Sequence, residues 1–253
     1  MKYYKKLLEM ECFTRDDLVE IVGSYSGANS LIYDYLKKGY IERVRNNLYT
    51  VINLKTNAPI ANKYQIGTKL FDDACMSHHS AFEYYGYYNQ IYYECYVSTK
   101  HRFEDFRYDG IYYHRVNPDT QIEIDCENKS KITSLERTII DSIKDWKKIS
   151  GTEEVIKCLV EISETLDENK LLRVLQEYDN GFLYQKCGYV FESLNKQFNL
   201  SEKFFEVCRK HISGTIRYLD DSSICVCLNK KWNLYVPKTI YEYIDKGVVE
   251  YEL

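Results

Sequence analysis

Ser26, Asn29, Ser30 and Tyr33, followed by Lys37 and Lys38, set hydroxyls, an amide and two cations along a short stretch of chain. Serine and asparagine carry donors and acceptors that match base edges, asparagine pairing bidentately with adenine, while lysines neutralise phosphates. Arg43 and Arg45 come next, with Asn46 and Asn47 beside them. Two guanidinium groups flanking a turn can reach phosphates or enter an adjacent minor groove. Chemistry of this kind recognises a duplex and breaks no bond.

These residues need a helix and a hairpin to hold them. At about 100° per residue, Ala28, Leu31, Ile32, Tyr35 and Leu36 fall in one sector and are expected to be core. Ser26, Ser30, Tyr33 and Lys37 fall opposite, with Asn29 and Asp34 on the shoulders. The recognition helix of a helix-turn-helix contacts bases through its N-terminal half, which is where Ser26, Asn29, Ser30 and Tyr33 stand. Asp34 repels phosphate, so it is expected to turn aside or pair with Lys37 or Lys38.

Upstream, a short helix is expected over 3–11. Thr14 is a good N-cap for a helix whose Leu18, Ile21, Val22 and Tyr25 recur at helical spacing. Residues 24–27 read as the turn, 28–38 as the second helix, and Gly39 as its left-handed stop. Strands over 40–44 and 48–52 then pair around Arg45, Asn46 and Asn47, since asparagine tolerates positive φ. The whole reads as a winged helix-turn-helix over 1–54.

Residues 55–65 gather Asn, Lys and Pro59 and read as a linker. A larger mixed α/β domain is expected over 66–253, which makes the fold class α+β. It begins with helices over 66–75 and 78–85, the second capped by Ser77 and ended by Gly86. Strands over 92–98 and 111–116 follow, with a hairpin signal at Asp109 and Gly110, and a third strand over 122–124. Thr133 and Glu136 have capping-box spacing for the next helix. Helices over 153–162, 168–178, 188–197 and 201–211 precede strand-like runs at 216–219, 223–228 and 232–236.

The 253 residues carry a net charge of −4, and the acidic excess lies in the middle of the chain. That argues against indiscriminate binding to nucleic acid but leaves the N-terminal module available to it. No apolar run approaches the roughly 18 residues that span a bilayer, and no signal-peptide core is visible. Nine cysteines in no regular framework suit a reducing compartment, so a cytoplasmic protein is expected. The 26 tyrosines fit half-buried sheets better than base-stacking platforms.

Rival chemistries find less support. Cys75, His78 and His79 are close in sequence, and Cys95, His101, His114 and Cys126 follow, yet none has the cadence of structural zinc. His78 and His79 diverge on a helix, and Cys225 and Cys227 make half a site. Glu123, Asp125 and Glu94 near Lys100 echo a metal-dependent nuclease, but no acid stands just before the lysine. Phosphate loops and nucleophile elbows do not occur. The expectation is therefore a non-enzyme without cofactor or metal; a nuclease targeted by the winged helix, or a protein-docking regulator, is the alternative.

A winged helix followed by Ser77-His78-His79-Ser80-Ala81 through Gly86, then strands, then Ser134-Leu135-Glu136-Arg137-Thr138-Ile139-Ile140-Asp141, resembles the AbiEi antitoxins of type IV, abortive-infection toxin–antitoxin pairs. The resemblance covers roughly residues 5–145. It implies an N-terminal domain that represses its own operon at inverted repeats of duplex DNA; because one small module buries limited area on DNA, copies are expected to pair there. It also implies a C-terminal domain that counters a nucleotidyltransferase-like toxin without a stable complex. Recognition-helix contacts then map to Ser26 through Lys37 and wing contacts to Arg43 through Asn47. Related wings often end in Arg-Gly; Asn46-Asn47 stands here instead. Glu136, Arg137 and Asp141 read as a structural group one helical turn across.

Overall fold

Thr14 opens the first well-capped helix of the chain. Its hydroxyl accepts the Asp17 N–H, and Asp17 in turn accepts the Thr14 N–H at 2.6 Å, closing a capping box. The protein's structure, a computed structural model, describes residues 3–88, 92–149, 151–163 and 165–244. It is α+β, with an N-terminal winged helix-turn-helix followed by a larger mixed α/β region.

The winged helix comprises α1 (Tyr4–Met10), β1 (Cys12–Thr14), α2 (Arg15–Val22), α3 (Tyr25–Lys37), β2 (Ile41–Arg45) and β3 (Leu48–Val51). The strands form an antiparallel sheet in the order β1-β3-β2. Gly23 ends α2 at φ +90°, and Ser24 caps α3 by accepting the Gly27 N–H. The helix thus begins three residues before the expected position, and the turn is tighter. A Cβ on Gly27 would stand 2.7 Å from Val22 Cγ1, so glycine permits the close approach of α3 to α2. Leu7, Phe13, Leu18, Ala28, Ile32 and Val51 make the core; each large apolar side chain contributes roughly 1.5–3 kcal/mol by burial.

By contact density the chain divides into two units. The first runs to Met76 and adds Tyr92–Pro118 and Asp125–Ile132, so the winged helix shares a unit with a sheet. The expected linker over 55–65 does not separate them. Ile52 bridges Pro59, the Ile60 N–H donates to the Val51 carbonyl, and Asn62 caps α4 (Lys63–Thr68). Gln65 then donates to Glu11 at 2.7 Å, and Lys69 pairs with Asp17 at 2.9 Å. Hydrogen bonds back to the wing hold a segment whose composition alone suggests a loop.

The sheet has six strands in the order β6-β7-β5-β4-β9-β8: β4 (Cys75–Met76), β5 (Glu94–Ser98), β6 (Phe106–Tyr108), β7 (Ile111–Val116), β8 (Ile124–Glu127) and β9 (Ser130–Thr133). β5 runs parallel to β7, and β4 parallel to β9. Asp109 and Gly110 do form a turn, both at positive φ, but it joins β7 to β6, a strand not expected from the sequence, while the expected partner β5 runs parallel to β7. The third strand lies over 124–127 rather than 122–124, because Glu123 takes a left-handed conformation at φ +50°.

The second unit opens at Ser77, adds Asp119–Ile124, and takes the chain from Thr133 onward. It contains α5 (His79–Tyr85), α6 (Leu135–Ile149), α7 (Gly151–Glu161), α8 (Glu168–Tyr178), α9 (Gly181–Ser193), α10 (Asn195–Phe198) and α11 (Glu202–His211). A small sheet of β10 (Arg217–Tyr218), β12 (Leu234–Val236) and β11 (Cys227–Asn229) completes it, in that order. Gly188, expected at a helix start, lies inside α9, where a Cβ would stand 2.1 Å from the Trp232 ring. Among the described residues no helix is long and apolar enough to cross a membrane.

Two capping expectations shift. α5 has His78 at its N-cap, with φ +54°, and the Ser77 hydroxyl lies 2.8 Å from His78 Nδ1. At α6 the Ser134 hydroxyl, not that of Thr133, accepts the Arg137 N–H. Thr133 ends β9 and meets the Thr138 hydroxyl at 2.7 Å, while Glu136 accepts the Asp167 N–H. A long-range partner outcompetes the local box.

Arg137 and Asp141 form a buried pair at 3.3 Å, as their spacing suggests. The remaining guanidinium donors reach the Ile122 and Thr120 carbonyls, and the Tyr178 hydroxyl donates to Asp141. The network braces α6 against α8 and the 119–124 segment. Arg137 and Asp141 themselves are buried, at 0% and 4% exposure.

Candidate nucleic-acid interface

The polar face of α3 is built by its core face. Ala28, Ile32 and Tyr35 point inward, which turns Ser26, Asn29, Ser30, Tyr33 and Lys37 to solvent. Tyr33 is 71% exposed, an aromatic ring presented outward. Asp34 pairs with Lys38 at 2.7 Å, which neutralises the one acid on this flank and leaves Lys37 at the surface.

The wing stands across a cleft of about 450 Å³ from this face, and Arg15, Asn29, Tyr33, Arg43 and Asn46 line it. Arg43 is exposed, its guanidinium 5.6 Å from the Tyr49 ring centroid. Asn46 is exposed at the wing tip; Asn47 turns the chain at φ +61°, and its side-chain oxygen accepts the Arg15 N–H at 3.2 Å. That hydrogen bond ties the tip of the wing to the start of α2 at the wall of the cleft.

Arg45 does not join this cleft. Its guanidinium lies over Phe106 and Phe103, centroids 4.9 and 5.3 Å away, and is partly buried. Burial lowers its pKa from the ordinary value, with Glu104 opposing the shift. The expectation that Arg45 reaches outward from the wing is corrected on this point: β2 carries a bulge between Arg43 and Arg45, which aims the two arginines differently.

Arg15 is the residue that sequence reasoning missed. It stands at the first position of α2, lines the cleft, and lies over Tyr25 at 5.6 Å. Its Nε is buried with no hydrogen-bond partner among the described residues. One signal was present: a cation at a helix N-terminus faces the positive end of the helix dipole, so some other role has to favour it.

Ser26, Asn29, Ser30, Tyr33, Lys37, Arg43 and Asn46 are therefore brought onto one exposed surface, with Lys38 paired beside it and Asn47 as a brace. Amides and hydroxyls near the helix start, flanked by cations, suit base edges framed by phosphates. The nuclease residues gain no such arrangement. Glu94 accepts the Tyr96 hydroxyl within the first unit, and Glu123, in the second, pairs with Arg173 at 2.7 Å.

The fold defines a class, a winged helix-turn-helix carrying a mixed α/β region. No protein-family model matches the chain, and no curated protein does. Among solved structures it is similar to the crystal structure of the RV2827C protein from Mycobacterium tuberculosis, with a TM-score of 0.62 at 10% identity. The alignment covers 96% of this chain and 92% of that one. At that identity the likeness concerns the fold alone.

Proposed function

We propose that the protein is a cytoplasmic, sequence-specific DNA-binding autorepressor and the antitoxin of a type IV toxin–antitoxin operon. The reading rests on one observation above all: the exposed hydroxyl and amide face of α3, set across a cleft from Arg43 and Arg15. Base contacts from Asn29, Ser26, Ser30 and Tyr33 give the sequence preference, and the cations give affinity. A single small module buries limited area on DNA, so two copies on an inverted repeat are expected, and repression follows from promoter occlusion. The antitoxin half of the proposal is supported by the AbiEi resemblance, with the larger region countering a nucleotidyltransferase-like toxin without stable contact. No catalytic step is assigned to the chain.

Gel-shift titration against the region upstream of the gene, with an unrelated duplex as competitor, tests the DNA reading. Preferential, salt-sensitive binding is expected; equal binding to both duplexes overturns it. Co-expression with the product of the adjacent reading frame tests the antitoxin reading. Restored growth is expected, and toxicity that persists at full antitoxin expression counts against it.

A further inference from the structure

Three side chains able to ligate a metal converge inside the second unit. His79 stands in the first turn of α5, while Glu154 and Cys158 lie four residues apart on α7. That spacing puts both α7 groups on one face of the helix. Nε2 of His79 lies 3.4 Å from Oε1 of Glu154, and Sγ of Cys158 lies 3.8 Å from the same oxygen. The three ligand atoms all fall within 4.8 Å of one another. All three residues are buried, at 4%, 8% and 2% exposure.

Zinc bonds of about 2.0–2.3 Å at tetrahedral angles hold ligand atoms roughly 3.3–3.8 Å apart. Two of the separations lie in or at the edge of that range, and the His79–Cys158 separation, bounded at 4.8 Å, closes to it with a side-chain shift of at most about 1 Å. A nitrogen, oxygen and sulfur donor set suits zinc rather than magnesium or calcium, and a divalent ion offsets the cost of burying the Glu154 carboxylate. We propose that His79, Glu154 and Cys158 bind a zinc ion, with the fourth position left to a water. Binding replaces the Cys158 S–H with a zinc–sulfur bond and releases that proton to solvent, with no change of oxidation state. The ion ties the segment that opens at Ser77 to α7. Because the site is buried, its role is to hold this unit together. Sequence spacing gave no warning, since His79 and Glu154 are 75 residues apart.

The full-length protein, stripped with a chelator under reducing conditions, is titrated with cobalt(II) as the probe. The expected result is saturation at one equivalent, with a thiolate-to-cobalt charge-transfer band that zinc abolishes and a rise in Tm with zinc. Cys158→Ser is expected to lose the band. Glu154→Gln and His79→Gln are expected to weaken zinc binding by at least about a hundredfold, the upper range seen when a supporting outer group is lost. Circular dichroism of each metal-free variant establishes that it is folded. The wild-type titration decides the question even if a variant does not fold: no thiolate band and no rise in Tm means a hydrogen-bonded triad only. A band that survives in folded Cys158→Ser assigns the metal to another cysteine and equally overturns the proposal.

Discussion

The guanidinium of Arg45 lies over the ring of Phe106, 4.9 Å from its centroid, so one of the two wing arginines faces the sheet of its own unit. Tyr108 reinforces the same junction by donating its hydroxyl to Glu42 of β2 at 3.2 Å. The wing is therefore braced from behind while Arg43 stays exposed.

Arg45→Ala and Arg43→Ala should accordingly fail in different ways. Loss of the Arg45 cation–π contacts is expected to lower stability by about 0.5–2 kcal/mol and to leave the salt dependence of DNA binding nearly unchanged. Arg43→Ala gives up only the exposed contact with Tyr49, expected to cost at most about 0.5–1 kcal/mol, and is expected to reduce the slope of log K against log salt by about 1. Urea unfolding beside salt-titrated gel shifts reads both; a reduced slope in Arg45→Ala would return that residue to the interface.

Asn29→Ala tests base readout separately from affinity. If Asn29 reads an adenine, its loss changes discrimination at one operator position by about 1–3 kcal/mol and barely alters binding to random duplex. Selection from a randomised operator library, wild type against variant, shows whether the preference at a single position relaxes. Identical selected sites would remove Asn29 from direct readout.

Asp17 makes the stability of the first unit acid-sensitive. Partial burial raises its pKa, but hydrogen bonds from Thr14 and Lys69 outweigh that and hold the carboxyl below its ordinary value. A folded-state pKa below the unfolded one stabilises fully above about pH 4, and the contribution is lost as pH falls through the depressed value. Thr14→Ala is expected to cost about 1 kcal/mol at neutral pH and to flatten the acid limb. Urea midpoints between about pH 3 and 7 check this, and an acid limb as steep as wild type contradicts it.

Arg137 and Asp141 form a pair whose halves cannot be removed singly. Asp141→Ala strands a buried guanidinium and is expected to cost about 3–5 kcal/mol. Replacing both, as Arg137→Met with Asp141→Leu, is expected to cost distinctly less than the two single changes added. A double-mutant cycle by chemical denaturation gives the coupling, and simple additivity would mean that the pair acts independently.

Gly188→Ala is a test of packing. The added methyl meets the Trp232 ring, so a destabilisation of about 1–3 kcal/mol is expected from overpacking. Combining it with Trp232→Phe should recover part of that loss. An unaltered Tm in the single variant would show that the ring can move aside.

Much of the winged helix was legible because its signals are local. Thr14 as an N-cap, the repeat of Ala28, Ile32 and Tyr35, and the turn pair Asp109-Gly110 act within one or two turns of chain, whereas Gly23 and Ser24, which stop α2 and cap α3, went unread and left α3 placed three residues late. Arg15 went unnoticed because its role depends on Asn47 and Tyr25, which only the fold brings near. Thr133 and Glu136 satisfied a local pattern but found better partners in Thr138 and Asp167. The 55–65 segment looked like a linker because composition does not reveal hydrogen bonds to β3.

Helix periodicity, caps and tight turns were set by the chain itself, since they depend on residues three or four apart and on the steric freedom of Gly and Asn. Those fixed the outward face of α3 and the α+β class. Tertiary structure alone decided that the winged helix shares a unit with the sheet, that Arg45 turns onto Phe106, and that His79 meets Glu154 and Cys158. Each of these joins side chains dozens of residues apart, and their proximity arises only when burial of apolar surface selects one packing from the many that the same local patterns allow.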